Sequence, residues 1–127
     1  MPKKKILLID DDQDFVDMLT DLMVANGYDV LVANSGEEGI AKCKENIPDL
    51  ILLDIMLPQI DGFEVLYTLR NLHNIKAIPI IMVTGKTEME SFFQAKGFGA
   101  TDYIMKPFHP EDLVALVTKH ISPENPV

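Results

Sequence analysis

Four places along the chain carry groups suited to act together. Asp10, Asp11 and Asp12 follow one apolar run, Asp54 follows a second, Thr84 ends a third, and Lys106 precedes Pro107. Three or four carboxylates brought to one partly desolvated spot repel one another by on the order of several kcal/mol, so a cation must sit among them. Oxygen donors with no His or Cys beside them select a hard cation, and a small number of carboxylates suits hydrated Mg²⁺. With a hydroxyl and an ammonium facing the same cavity, the set is equipped to receive a phosphoryl group. Asp54 attacks in line while metal and lysine neutralise the charge on the equatorial oxygens.

Positioning these groups falls to the elements between them. Leu50 to Leu53 run apolar between Asp49 and Asp54, as expected of a strand buried on both faces, and Asp54 stands where it leaves the core. Pro58 and Asp61-Gly62 then predict a loop before the next helix. Ile6 to Ile9 form a first buried strand. Phe15, Met18, Leu19, Leu22 and Met23 recur at helical spacing on a first helix that Asn26-Gly27 ends. Val30 to Ala33 form a second strand, and Ser35-Gly36-Glu37-Glu38 opens a second helix that turns Ile40 and Cys43 inward before Ile47-Pro48 closes it.

A third helix after Gly62 carries Phe63, Val65, Leu66 and Leu69. Ile78 to Val83 predict a fourth strand, and a weaker fourth helix covers about 88–96 with Phe92, Phe93 and Ala95. Tyr103 to Met105 form a short fifth strand. A last helix starts near Pro110-Glu111-Asp112, with acids at its positive end, and turns Leu113, Leu116, Val117 and Ile121 inward. Strand and helix alternate five times without a linker, which predicts an α/β fold: a doubly wound five-stranded parallel sheet with helices on both faces. The flavodoxin-like order 2-1-3-4-5 makes strands one and three neighbours and brings Asp10, Asp11 and Asp54 together.

The 127 residues fit one domain, and 47% hydrophobic content supports a real core. Eleven Lys and Arg against twenty Asp and Glu leave a net charge of −9, which disfavours direct contact with nucleic acid or an anionic membrane. The single Cys43 forms no internal disulfide, reads as helix packing, and fits a reducing cytoplasm. Lys3-Lys4-Lys5 precede an apolar run too short for a signal peptide or membrane span and read as a solvated start to the first strand. Asp12 and Asp14 read as cap and charge for the first helix. His73, His109 and His120 share no ligand spacing and are expected to face solvent.

The chain resembles the receiver domains of two-component response regulators over nearly its whole length. The resemblance rests on Ile9-Asp10-Asp11, on Asp54-x-x-Leu57-Pro58-x-x-Asp61-Gly62, on Thr84, and on Lys106-Pro107, each at the end of a predicted strand. It implies a receiver domain over 1–121; the short tail, 122–127, carries no effector domain, so the domain is expected either to act alone or to be a piece of a longer protein. It implies that Asp54 takes phosphate from the phosphohistidine of a sensor histidine kinase or phosphotransfer protein. Asp11, Asp54 and the backbone carbonyl of Met56 would bind Mg²⁺ directly, with Asp10 acting largely through water. Thr84 and Lys106 would grip the phosphoryl oxygens. Tyr103 would swing inward as Thr84 is drawn to the phosphate, although the residue also reads as plain core. In such domains Lys106-Pro107 is often a cis bond.

Output to a downstream protein target is expected through the face of the fourth helix, fifth strand and last helix, with homodimerisation there as an open option. The chain departs from the commoner pattern at Gly85, Met56 and Lys86. Nothing beside Asp54 orients an attacking water, so slow self-dephosphorylation is expected. A second reading, a haloacid-dehalogenase-type aspartyl-phosphate phosphatase, takes Asp10 of Asp10-Asp11-Asp12 as its nucleophile. It lacks the further acidic pair after a strand beyond the lysine and has no cap domain. A phosphorylation-independent binding module is the third, disfavoured because every chemical group is present.

Overall fold

A computed structural model of the chain describes residues 3–55, 57, 62–72, 75, 77–85 and 99–121. Five parallel strands form one sheet: β1 (Lys5–Ile9), β2 (Asp29–Ala33), β3 (Leu50–Asp54), β4 (Ile80–Thr84) and β5 (Asp102–Met105). Their order is β2-β1-β3-β4-β5, the doubly wound arrangement expected. The described helices are α1 (Gln13–Ala25), α2 (Gly36–Glu45), α3 (Gly62–Arg70) and α4 (Pro110–His120). The expected helix over 88–96 lies outside the described residues.

The sheet has a core on each face because alternate strand residues point opposite ways. Leu7, Ile9, Ile51, Leu53, Ile80 and Met82 pack against Cys43 of α2 and Val65, Leu66 and Leu69 of α3. Ile6, Leu8, Leu50, Leu52 and Ile81 pack against Val16, Leu19 and Met23 of α1 and Leu113 and Val117 of α4. Every position of β3 and β4 is buried. Fully burying a Leu or Ile contributes about 1.5–3 kcal/mol, so these central strands hold the molecule together. Every position of the edge strand β5 is only partly buried.

Several expectations need correction. Met18 is 42% exposed, and Val16, not Met18, completes the buried stripe of α1. His109 is exposed as expected, but His120 is not solvent-facing. Its Nε2 lies 3.1 Å from Asp102 Oδ2 and joins α4 to β5. Burial pushes the Asp102 carboxyl up. The His120 hydrogen bond, the Tyr103 amide and the Lys119 charge outweigh this and leave it below the usual carboxylate range. His73 lies outside the described residues. Lys5 is half-buried, with its amide donating to Asp49 Oδ2 at 2.7 Å. Cys43 is packing, fully buried, and burial pushes its thiol up to about 11.

Two polar side chains that the sequence did not single out brace the frame. Tyr28 is fully buried, and its hydroxyl donates to the Ile121 carbonyl at 3.1 Å, fixing the end of α4. Arg70, at the end of α3, donates to the carbonyls of Gly99 (2.7 Å), Ile75 (3.1 Å) and Ile78 (2.6 Å) and to Thr101 Oγ1 (3.0 Å). A planar guanidinium with five donors suits this set, and a lysine could not span it.

Candidate functional site

The site lies at the carboxyl ends of the strands, and strand register explains its composition. Ile9 is level with Leu53, so Asp10 and Asp54, the next residues, leave adjacent strands side by side. Asp54 is level with Val83, and Thr84 with Met105, so Thr84 and Lys106 follow on the two remaining strands. The Lys106 amide donates to the Thr84 carbonyl at 2.7 Å and carries the β4–β5 pairing to the rim. Lys106-Pro107 is cis, as the family resemblance implied.

Asp10, Asp11 and Asp54 each offer a carboxylate oxygen, and these oxygens lie within 4.8 Å of one another. Asp10 is fully buried, Asp54 is 7% exposed, and Asp11 is open to solvent. Asp10 Oδ1 accepts from the Asp12 amide at 2.9 Å, while Asp10 Oδ2 is buried with no hydrogen-bond partner. An orphaned carboxylate oxygen is costly unless a cation meets it. Burial raises the Asp10 carboxyl to about 6; Asp54 and Asp11 add to the rise, while the Asp12 amide and Lys106 oppose it. The donor set is all oxygen, which fits Mg²⁺. Met56, whose carbonyl was expected to join it, lies outside the described residues, as does Lys86.

The Lys106 ammonium lies 3.9 Å from Asp54 Oδ2. Thr84 is buried at the end of β4, but its hydroxyl donates to the Gly85 carbonyl at 2.7 Å, not to the carboxylates. Thr84 ends β4 at the same rim as Asp54 and Lys106. Tyr103 is half-buried against the core on the α2–α3 face. Asp12 is the N-cap of α1, accepting from the Phe15 amide at 3.3 Å, and Asp14 lies in the first turn, both as expected.

Sequence reasoning missed the role of Gly62, which it took for turn chemistry. The Gly62 amide donates to the Ile55 carbonyl at 3.0 Å, and a Cβ there would lie 2.6 Å from Ile55 Cα and 2.7 Å from the Asp54 carbonyl oxygen. Backbone on both sides leaves no soft neighbour to yield. Gly62→Ala is expected to destabilise the protein by about 1–3 kcal/mol, read as a lower urea midpoint at unchanged slope. An unchanged midpoint would show that this close approach is not needed.

The family description "Response regulator receiver domain" matches residues 6–118. The chain belongs to this family. The receiver is 40% identical over 115 residues to the DNA-binding response regulator MtrA of Mycobacterium tuberculosis, covering 91% of this chain and 49% of that protein. It is 42% identical over 114 residues to the alkaline phosphatase synthesis transcriptional regulatory protein PhoP of Bacillus subtilis, covering 90% of this chain and 47% of that protein. The chain thus spans about half the length of these curated relatives.

Among solved structures, the receiver is similar to the chemotaxis protein CheY4 of Vibrio cholerae, with TM-score 0.90 and 32% identity over 94% of this chain and 100% of that one. It is also similar to a CheY-like receiver domain protein of Methanospirillum hungatei, with TM-score 0.87 and 35% identity over 93% of each chain. Receiver domains are signalling switches rather than turnover enzymes. They bind Mg²⁺ at an acidic pocket and interact with histidine kinases or other phosphodonors. Among the described residues no helix is long and apolar enough to cross a membrane.

Proposed function

We propose that this receiver accepts a phosphoryl group on Asp54 from the phosphohistidine of a sensor kinase or phosphotransfer protein, and that the modification changes which downstream protein it binds. One observation carries the reading: three carboxylates meet at one rim with the Lys106 ammonium 3.9 Å from Asp54. Asp54 attacks phosphorus in line, an O–P bond forms as the N–P bond breaks, and the imidazole leaves. Asp10, Asp11, Asp54 and the Met56 carbonyl would hold Mg²⁺, which supplies charge neutralisation for the phosphoryl oxygens. Lys106 takes one of those oxygens from its seat beside Asp54. Thr84 surrenders its bond to the Gly85 carbonyl and donates to another, and Tyr103 follows inward.

Asp10 is a poor nucleophile by comparison, since it is sealed from solvent and one oxygen is committed to the Asp12 amide. This favours the switch over an Asp10 phosphatase. The output surface we assign is the face of the expected fourth helix, β5 and α4, with a second copy of the chain as one occupant.

The test is mass spectrometry after incubation with acetyl phosphate and Mg²⁺. Wild type gains one phosphoryl group and Asp54→Ala gains none; equal labelling of both proteins would overturn the reading. Since Met56, two positions beyond Asp54, offers no polar side chain to aim water at the acyl phosphate, phospho-Asp54 is expected to persist for minutes or longer. Loss of the label within seconds would contradict this.

A further inference from the structure

The Lys106 ammonium has a second neighbour that phosphoryl chemistry does not call for. It stands over the ring of Phe15, 4.0 Å from the centroid, while Asp54 Oδ2 lies 3.9 Å away. Phe15 sits in the first turn of α1, with its amide tied to the N-cap Asp12. Its ring forms an edge-to-face pair with Phe108, with centroids 6.0 Å apart and planes at 75°. That geometry is a favoured one for aromatic pairs and sets the plane of the Phe15 ring. Phe15, Met18, Lys106, Pro107 and Phe108 line one open cleft beside the acids.

A lysine side chain one-third exposed has many rotamers, and one ion pair at 3.9 Å restrains it weakly. The face of an aromatic ring attracts a cation within about 6 Å of its centroid and adds a second restraint from another direction. Packing alone would be served by any apolar side chain of similar size at this half-buried position, whereas seating a cation needs the π face. We propose that Phe15, with its ring plane set by Phe108, is a positioning residue that keeps the Lys106 ammonium within reach of Asp54 during phosphoryl transfer. The proposal rests on the reading of Asp54 as phosphoacceptor.

The experiment compares wild type with Phe15→Leu and Phe15→Tyr at neutral pH in saturating Mg²⁺, with acetyl phosphate as donor. Phe15→Leu is expected to slow Asp54 phosphorylation about fivefold to tenfold, and Phe15→Tyr to stay within about twofold of wild type. Proton NMR of the unphosphorylated, metal-free proteins gives a readout that general destabilisation would not mimic. The Lys106 ε-methylene protons lie upfield under the ring in wild type and Phe15→Tyr and return to the ordinary lysine position in Phe15→Leu. Should Phe15→Leu not fold, Phe15→Met takes its place.

A non-aromatic variant that phosphorylates at the wild-type rate overturns the proposal. So does Phe15→Tyr as slow as Phe15→Leu, or an unshifted methylene in wild type. A wild-type protein that takes up no phosphoryl group overturns the phosphoacceptor reading and, with it, the role in transfer; the methylene shift then still decides whether the ring seats the lysine.

Discussion

Lys106→Ala is expected to slow phosphoryl uptake on Asp54 by about 100- to 1,000-fold, the loss typical when one preorganised group that stabilises transition-state charge is removed. Lys106 places its ammonium 3.9 Å from Asp54, and its charge also opposes the rise of the Asp10 carboxyl. Removing it makes the carboxylate cluster more negative. Mg²⁺ binding should therefore tighten or stay level while phosphorylation collapses. Stopped-flow phosphorylation with acetyl phosphate reads the first effect, and Mg²⁺ titration reads the second. A fall of less than about threefold in rate, or a parallel loss of Mg²⁺ affinity, would remove Lys106 from the transfer step.

Asp10→Asn is expected to stabilise the metal-free protein at neutral pH by on the order of 2–3 kcal/mol and to weaken its response to Mg²⁺. In the folded protein burial raises the Asp10 carboxyl from 3.8 to about 6. Between those values the folded state binds more protons than the unfolded one, so this group's contribution falls as pH rises from about 4 to about 6 and is level above that. Asparagine keeps an acceptor for the Asp12 amide and carries no charge, so it escapes the fall. Urea denaturation of both proteins across this range isolates the difference, which should vanish below about pH 4. Saturating Mg²⁺ should narrow the gap by stabilising wild type more than the variant. Equal midpoints at neutral pH without metal would show that the buried carboxylate costs nothing.

Much of this site could be read in the chain because of how parallel sheets work. Each strand is a short apolar run, and its last residue reaches the same rim as the last residue of its neighbours. Asp10, Asp54, Thr84 and Lys106 were therefore placed by counting along strands, without knowledge of side-chain contacts. What counting cannot supply is partnership between residues far apart in sequence. Arg70 looks like any arginine at a helix end until Gly99, Ile75 and Ile78 present their carbonyls to it. His120 looks solvated until β5 brings Asp102 beside it. Helical spacing put Met18 on the inward stripe and passed over Val16, yet packing on the sheet buries Val16 and leaves Met18 42% exposed. Phe15 read as an ordinary apolar residue because its ring meets Lys106 across 91 positions of chain.

The grip of Arg70 on Gly99 and Thr101 also determines how β5 can respond to chemistry at its far end. Thr101 accepts from the Ile80 amide at 3.0 Å and from Arg70, so the start of β5 is moored to α3 and to the start of β4 at once. The functional groups lie at the opposite pole, beyond Met105. Because the Lys106 amide also donates to the Thr84 carbonyl at 2.7 Å, a pull on Thr84 reaches β5 through that bond, against a strand already held at Thr101.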